Sequence, residues 1–165
     1  MATANTKSTL VTNADASPVT LTSSYLKDGG VIEQIGICEV AAADDDTSVY
    51  RFCRIPSGAR MSYIRILNDA ITAGTDYNLG LLDTAANGGA AVDDNLFGDA
   101  IDLSSARVAP LEALHEALDI VNAEKRVWEL LGLSADPFLE YDLALTSVTV
   151  GSAAGTIVIK AGYVL

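Results

Sequence analysis

The sequence predicts an all-β fold, an antiparallel β-sandwich with one or two short helices. Short apolar runs of strand length recur along the chain, and turn-forming residues separate them. The stretch from Arg51 to Thr84 shows both features, because Pro56-Ser57-Gly58 and Ala73-Gly74-Thr75-Asp76 divide it into three apolar runs. Proline fixes φ and lacks an amide hydrogen, while glycine accepts a positive φ, so both dividers are expected to be turns.

Six strands are expected, either from period-two alternation or from apolar runs bounded by turn signals. They cover residues 31–40, 49–55, 60–69, 77–83, 138–150 and 155–165. The connections among the first four are short, as is typical of antiparallel sheets.

The region between the fourth and fifth predicted strands carries other signals. Residues 84–100 are rich in Gly, Ala, Asn and Asp and are expected to form an exposed loop. A short helix is expected between Asn122, its N-cap, and Gly132, the glycine that ends it. A second helix is expected over residues 111–121, since Pro110 suits a first helical turn.

Two parts are expected: residues 1–24 as an extended N-terminal arm and residues 25–165 as a single β-sandwich domain. Thr, Ser, Ala and Asn dominate the arm, and its apolar residues are too sparse to form a core alone. Unless it is a frayed terminus, such an arm needs partners for its backbone groups on its own sheet or on a neighbouring subunit. Its candidate interface residues are Leu10, Val11, Val19 and Leu21.

The charge balance bears on the partners. The 165-residue chain has 22 acidic against 10 basic side chains, for a net charge of -12 at pH 7. Proteins bind phosphate backbones mainly through Lys and Arg, so we expect no nucleic-acid partner. No apolar run approaches the roughly 20 residues that a membrane span requires, and the N-terminus lacks the apolar segment of a signal peptide. We therefore expect a soluble protein that binds no membrane.

The two cysteines, Cys38 and Cys53, are too few for a disulfide framework or a zinc site, so reduced thiols are expected. If residues 31–40 paired with residues 49–55 as a hairpin, the cysteines would lie opposite each other. A cross-strand disulfide is then the alternative.

The sequence offers no recognisable catalytic or metal-binding set. Nucleophilic catalysis normally needs an imidazole base, and the single histidine, His115, has no Ser-plus-Asp signature beside it. Acidic residues cluster over 44–46 and 93–102, but an EF-hand loop that starts at Asp93 would need an oxygen ligand where Phe97 stands and a glutamate where Ser104 stands. We expect no enzyme activity, no catalytic residue, no metal and no cofactor, with a looser Ca²⁺ site in the acidic loop as the alternative.

An arginine-rich stretch is interleaved with aromatic residues, a composition that is typical of protein interfaces. A planar guanidinium can pair there with a partner's carboxylates, while the acidic surroundings disfavour a nucleic-acid patch. The candidate interface residues of this stretch are Arg51, Arg54, Arg60 and Arg65.

Several motifs follow one another in a fixed order. They are a Thr-rich arm, Gly30-Val31, the turn segment RIPSGAR over 54–60, NDAITAGT over 68–75, NLGL over 78–81, and GTIVI over 155–159 followed by Tyr163. This order resembles small virion structural proteins of tailed bacteriophages, of the capsid decoration or cement type. The resemblance implies a jelly-roll-like β-sandwich on the capsid exterior and supplies no catalytic residues.

The residue pattern and the resemblance lead to one hypothesis: a non-enzymatic capsid decoration protein that binds the outer surface of the head and stabilises it through subunit-bridging contacts. Its expected partners are the major capsid protein and further copies of itself, in a homo-oligomer such as a trimer. It would be made in the host cytoplasm and located on the capsid exterior. The alternatives are another virion component (tail, neck or head fibre) or a Ca²⁺-dependent carbohydrate-binding β-sandwich.

Overall fold

Two four-stranded antiparallel sheets face each other across the core of the protein. The computed structural model describes residues 6–42, 44–72, 76–114, 116–149 and 151–165. The strands within these ranges are β1 (Ile32–Val40), β2 (Val49–Pro56), β3 (Arg60–Asn68), β4 (Asp76–Asp83), β5 (Ala91–Asp102), β6 (Arg107–Glu112), β7 (Glu140–Thr149) and β8 (Gly155–Val164). The helices are α1 (Thr9–Asp15), α2 (Val127–Leu130) and a short 3-10 helix over Ala85–Asn87.

The strand order identifies the topology. The first sheet has the order β1-β8-β3-β6, the second has the order β2-β7-β4-β5, and all neighbours are antiparallel. The chain passes repeatedly from one sheet to the other, which is the arrangement of a jelly roll. The predicted all-β antiparallel sandwich of jelly-roll type is confirmed.

The core lies between the sheets and is built from side chains that alternate along the strands. Ile64 and Ile66 of β3 and Ile159 of β8 are fully buried on the first sheet, and Leu79 of β4 and Leu143 of β7 are fully buried on the second. Burial of each such aliphatic side chain contributes roughly 1.5–3 kcal/mol to folding. The outer faces and the ends of the sandwich remain for contacts with other molecules.

The six predicted strands correspond to β1, β2, β3, β4, β7 and β8, with bounds that differ by at most two residues. The predicted turn Pro56-Ser57-Gly58 also forms, and the amide of Ala59 donates to the carbonyl oxygen of Pro56 at 3.0 Å. Most of the other predicted turn, at residues 73–75, lies outside the described residues, as does His115.

The predicted loop over residues 84–100 is wrong from Ala91 onward, because β5 begins there after the connection that contains the 3-10 helix. Three register shifts interrupt the pairing of β5 with β4, so its side chains lack the regular alternation by which a strand is recognised. Between Asp93 and Gly98, β5 bulges against Gly80, where a Cβ atom would overlap the β5 backbone.

The predicted helix over residues 111–121 is also wrong. β6 extends to Glu112, and turns occupy the described residues that follow it. Pro110 lies inside β6, an edge strand whose one neighbour among the described strands is β3. Proline is tolerated on an edge because its missing amide hydrogen removes no ladder bond on the free side.

The helix expected between Asn122 and Gly132 forms, but it is shorter than predicted. Arg126 is the N-cap of α2, and its amide donates to the carboxylate of Glu129 at 2.8 Å. Asn122 is therefore not the cap. Gly132 adopts the positive φ, 70°, of a residue that ends a helix.

β1 and β2 belong to different sheets, so the conditional hairpin pairing of the two cysteines is wrong. Cys38 lies opposite Ile157 of β8, and Cys53 lies opposite Leu143 of β7. Both cysteines are free thiols.

The extended conformation expected for the N-terminal arm is wrong over Thr9–Asp15, which form α1. The hydroxyl of Ser8 caps the helix by accepting a first-turn amide. Asn13 then joins α1 to the segment that follows, because its carbonyl oxygen accepts the amide of Thr20 at 3.1 Å and its side-chain amide donates to Thr22 Oγ1 at 3.2 Å. Local hydrogen bonds thus fold the arm back on itself.

Candidate interaction surfaces

Two of the predicted interface arginines converge on one carboxylate within the chain. Arg51 Nη1 lies 2.8 Å from Asp142 Oδ2, and Arg54 Nε lies 3.1 Å from Asp142 Oδ1. The side chain of Asp142, on β7, is only 12% exposed. Arg51 also donates to the carbonyl oxygens of Asp83 and Gly89, at 2.8 Å each. This cluster cross-links β2, β7 and the connection after β4.

Arg60 fixes the base of the N-terminal arm. Its Nε donates to the carbonyl oxygen of Tyr25 at 2.9 Å. The guanidinium of Arg126 lies over the ring of the same tyrosine, 4.3 Å from its centroid, in a cation–π contact. Tyr25 is therefore an anchor between the arm and the sandwich.

Arg65 takes part in a third set of contacts, on the outer face of the first sheet. It donates to the carboxylate of Glu112 on β6 and lies 4.5 Å from the ring centroid of Tyr63. The hydroxyl of Tyr63 in turn donates to the carboxylate of Glu33 on β1. The hydrogen bond to Glu112 raises the pKa of Arg65 above its ordinary value.

The apolar residues predicted as contacts in the arm are exposed. α1 buries none of its residues. The exposed fractions are 40% for Leu10, 46% for Val11, 63% for Val19 and 93% for Leu21. Leu10, Val19 and Leu21 line a concave surface together with Lys27. We refer to Leu10, Val11, Val19 and Leu21 as the arm surface.

A second apolar surface, which the sequence analysis missed, lies on the outer face of the first sheet. The register places Ile37 of β1 opposite Val158 of β8, and Val158 opposite Leu67 of β3. Ile35 shares this face of β1, and Val108 of β6 lines a groove with Leu67 and Val158. Ile35, Ile37 and Val108 are all more than half exposed. These five residues are the outer apolar patch.

Carboxylates border the outer apolar patch. Glu33 and Glu39 flank the two isoleucines on the same face of β1, where Glu33 accepts from Tyr63 and Glu39 accepts from Thr156 Oγ1. Beyond the end of β3, Asp69 accepts the amide of Thr156 at 3.1 Å. On the same face Lys160 lies opposite Ile35, and Arg65 lies opposite Lys160. The patch therefore has an apolar centre and a border that carries charges of both signs.

A third exposed apolar site is a single side chain on the loop before β7. Phe138 is 90% exposed and has a φ of 54°, which is rare for an aromatic residue. Asp136 Oδ1 accepts the amide of Phe138 at 2.9 Å and also the hydroxyl of Ser57. Ser57 Oγ in turn accepts the amide of Leu139 at 3.1 Å. These bonds hold the loop against the β2–β3 turn and leave the Phe138 ring in solvent.

The described residues bring no metal-binding or nucleophilic set together. Within them, no three His, Cys, Asp or Glu side chains are grouped so as to hold a metal ion. Burial raises the pKa of the Cys53 thiol to about 11 and also raises that of Cys38, whereas a reactive thiol needs a lowered pKa. The same part of the chain contains no helix long and apolar enough to cross a membrane.

Comparisons with known proteins give one structural likeness to report. No protein-family model matches the chain, and no curated protein matches it. A chain of the solved structure titled "Cyanophage Pam1 capsid asymmetric unit" is similar at 16% sequence identity, with a TM-score of 0.49, over 92% of this chain and 96% of that chain. At this identity and TM-score, the likeness assigns no family.

The eight predicted interface residues thus divide into two groups. The four in the arm surface are exposed, and each of the four arginines contacts a group within its own chain. The outer apolar patch and Phe138 are additional exposed sites that sequence reasoning did not identify.

Proposed function

We propose that the protein is a non-enzymatic structural component of a bacteriophage virion, a decoration or cement protein that binds the outer surface of the capsid and bridges its subunits. The observation that carries this proposal is that one jelly roll presents separate apolar contact sites. They are the arm surface, the outer apolar patch and the loop that carries Phe138.

Separate sites are what a bridging protein requires. Single exposed apolar side chains are normal on soluble proteins, but a contiguous apolar surface with a polar border marks an interaction site. Ile37, Val158 and Leu67 are contiguous across three strands, and charged side chains border them. Glu39 and Asp69 lie on one side, and Lys160 and Arg65 lie on the other. A molecule with more than one such site can contact two neighbours at once.

The charge of the protein supports a role away from packaged nucleic acid. The net charge is -12. The four arginines of the predicted interface stretch make ion pairs or hydrogen bonds within the chain, to Asp142, Glu112 and the Tyr25 carbonyl oxygen. A surface of this kind repels a phosphate backbone. It favours the capsid exterior as the location.

The virion setting comes from the sequence motifs and is compatible with the topology. The order of motifs resembles small virion proteins of tailed bacteriophages, and jelly rolls recur in viral capsid proteins, although a fold alone does not determine a function. We assign the contact with the major capsid protein to the Phe138 loop, because exposed aromatic side chains on a fixed backbone are frequent interface anchors.

The test is to mix the purified protein with expanded capsids that lack it. We expect saturable, stoichiometric binding and greater resistance of the capsids to heat and osmotic shock, while fully decorated capsids bind no more. An absence of binding would contradict the proposal. Immunogold labelling of whole particles that marks only tails, necks or fibres would assign the protein to another part of the virion.

A further inference from the structure

We propose that Asn87 is a site of spontaneous deamidation, at which the folded protein slowly converts this asparagine to a mixture of isoaspartate and aspartate. The residue lies in the connection between β4 and β5, which Arg51 holds in place. The inference is independent of the proposed capsid role, because it concerns the chemistry of this connection alone.

Asn87 is the one asparagine of the chain that precedes a glycine. The chain has seven asparagines, and the other six are followed by Thr, Ala, Asp or Leu. A deamidating asparagine is attacked by the backbone nitrogen of the next residue, and a side chain on that residue hinders the attack. Glycine has no side chain and the widest range of backbone dihedral angles, so an Asn-Gly pair reacts most readily.

The fold leaves both reacting groups accessible. Asn87 is exposed at the end of the 3-10 helix, and among the described residues its side-chain carboxamide has no hydrogen-bond partner. The attacking nitrogen, that of Gly88, donates to the Ala85 carbonyl oxygen at 3.4 Å, which is a long and weak bond. No atom lies within 4 Å of the position that a Cβ atom of Gly88 would occupy. Neither a strong hydrogen bond nor a packed neighbour therefore holds this nitrogen away from the carboxamide.

The other described asparagines are less suited to the reaction. The carboxamide of Asn68 is buried and donates to three carbonyl oxygens. Those of Asn13 and Asn78 are also hydrogen-bonded to groups elsewhere in the chain. Asn95 and Asn122 remain, and each precedes a residue with a side chain. The structure thus agrees with the sequence in selecting Asn87.

The reaction needs no co-reactant other than water. The Gly88 nitrogen loses its proton and attacks Cγ of Asn87, and the new bond replaces the bond from Cγ to Nδ2, so that Nδ2 leaves as ammonia with the proton. Water then opens the succinimide ring that has formed. Cleavage between the nitrogen and Cγ gives aspartate, while cleavage between the nitrogen and the backbone carbonyl carbon gives isoaspartate. No step transfers electrons to or from another molecule.

The isoaspartate product should disturb the contacts that hold this connection. Arg51 Nη2 donates to the Gly89 carbonyl oxygen at 2.8 Å, and the Gly89 amide donates to the Thr84 carbonyl oxygen at 3.1 Å. Isoaspartate adds a methylene carbon to the main chain between Thr84 and Gly89, so the segment that these bonds close becomes longer. Aspartate leaves the main chain unchanged. Lower stability is therefore expected from isoaspartate and not from aspartate.

The experiment incubates the folded, full-length protein at mildly alkaline pH, where the attacking nitrogen loses its proton more readily. Peptide mapping by mass spectrometry follows the amide-to-acid mass increase at each asparagine. Asn87→Gln is the site variant, because its longer side chain would have to close a larger and less favourable ring. Asn95→Gln is the matched control, at another exposed asparagine. The same incubation in urea gives the rate for the unfolded chain.

We expect Asn87 to convert before any other asparagine in the wild type and in Asn95→Gln, at a rate similar to that in urea. No conversion is expected at position 87 of Asn87→Gln. If Asn87 stayed intact in the folded protein while it converted in urea, the fold would protect the pair and the inference would be overturned. Earlier conversion of another asparagine would overturn it as well.

Thermal denaturation tests the consequence for stability. The isoaspartate form, isolated by chromatography, is compared with the unmodified protein and with Asn87→Asp, which carries the added charge on an unchanged main chain. We expect a lower midpoint for the isoaspartate form and equal midpoints for the other two. An isoaspartate form as stable as Asn87→Asp would contradict the expected effect on the Arg51 contact.

Discussion

The side-chain amide of Gln34 binds both backbone groups of Arg54 and thereby joins the two sheets. Gln34 Nε2 donates to the Arg54 carbonyl oxygen at 2.8 Å, and the Arg54 amide donates to Gln34 Oε1 at 3.1 Å. Gln34 lies on β1 of the first sheet and Arg54 on β2 of the second. β1 and β2 belong to different sheets and are not hydrogen-bonded neighbours, so the glutamine side chain supplies the hydrogen bonds that link them.

Replacement of Gln34 should therefore destabilise the fold. Gln34→Ala removes both bonds to Arg54 and the bond to the Tyr163 hydroxyl, and we expect the free energy of unfolding to fall by about 1–3 kcal/mol. Gln34→Glu should behave similarly, because an ionised carboxylate cannot donate to a carbonyl oxygen. Urea denaturation measures both variants against Glu124→Ala, at an exposed turn position. Equal stability of the three proteins would show that this link is not needed.

The Asp142 cluster predicts an order of effects among its arginines. Arg51→Ala should cost more stability than Arg54→Ala, because Arg51 also binds the carbonyl oxygens of Asp83 and Gly89. Asp142→Asn should lower the free energy of unfolding by about 1–2 kcal/mol, since both guanidinium groups are partly solvated. Thermal denaturation at fixed salt measures the order. The reverse order for the two arginines would contradict this account.

Gly80 is expected to tolerate no side chain. The Cβ atom of Gly80→Ala would overlap the backbone of Asp93 and Asp94, which cannot move without the rest of β5. We expect a loss of about 3 kcal/mol or more, or failure to fold, since the obstacle is backbone and not a flexible side chain. Gly30→Ala is the matched control, because no atom lies within 4 Å of the position of its Cβ. Gly80→Ala should therefore have a lower soluble yield and a lower free energy of unfolding than Gly30→Ala. Equal yields and equal stabilities of the two variants would contradict the proposed packing.

Asp44 gives a prediction on pH. The Tyr50 hydroxyl donates to Asp44 Oδ2 at 2.6 Å and the Ala41 amide donates at 2.9 Å, and these bonds lower the pKa of Asp44 below its ordinary value of 3.8. A lowered pKa means that the contribution of Asp44 to stability is present above pH 3.8 and is lost as the pH falls through the folded-state pKa.

Tyr50→Phe should therefore raise the pKa of Asp44 toward 3.8, as measured by carbon NMR titration of the carboxyl group. Tyr77→Phe is the control, because the Tyr77 ring packs edge-on against Tyr50, with ring centroids 6.1 Å apart, and within the described residues its buried hydroxyl has no hydrogen-bond partner. An unchanged Asp44 pKa in Tyr50→Phe would remove the phenol as its cause.

Phe138 should matter for capsid binding and not for folding. Asparagine tolerates a positive φ, so Phe138→Asn keeps the loop conformation and removes the exposed ring. We expect the free energy of unfolding to change by no more than about 0.5 kcal/mol, as is usual for surface substitutions, while affinity for undecorated capsids falls. Cosedimentation with capsids measures the affinity, and Ile120→Asn is the control. Undiminished binding of Phe138→Asn would move the capsid contact to another surface.

Much of the fold could be predicted because its signals are local. In β8, the buried residues Ile157, Ile159 and Ala161 occupy every second position. A β-strand places residues with this spacing on one face, whereas a helix does not. β5 and β6 were not predicted, because their own sequences lack a clear strand pattern. β5 pairs with β4 despite three register shifts, and β6 pairs with β3 although it contains Pro110. That pairing is a property of the whole fold.

The candidate surfaces were predictable in part for the same reason. The sparse apolar residues of the arm indicated exposure, as Leu21 shows. The outer apolar patch was missed because β1 has apolar residues on both of its faces, and the sequence alone does not reveal which face meets the core. The pairing of Arg51 with Asp142 joins residues 91 positions apart, a distance at which no local pattern operates.

Pro110 has a consequence for copies held side by side at high density. The free edge of β6 could otherwise pair with an edge strand of an adjacent molecule and form a continuous sheet. Such pairing is the first step toward fibres. The proline ring interrupts the row of amide donors that such growth requires. At this edge a second copy is therefore expected to make contacts through side chains and not through a continuous backbone ladder.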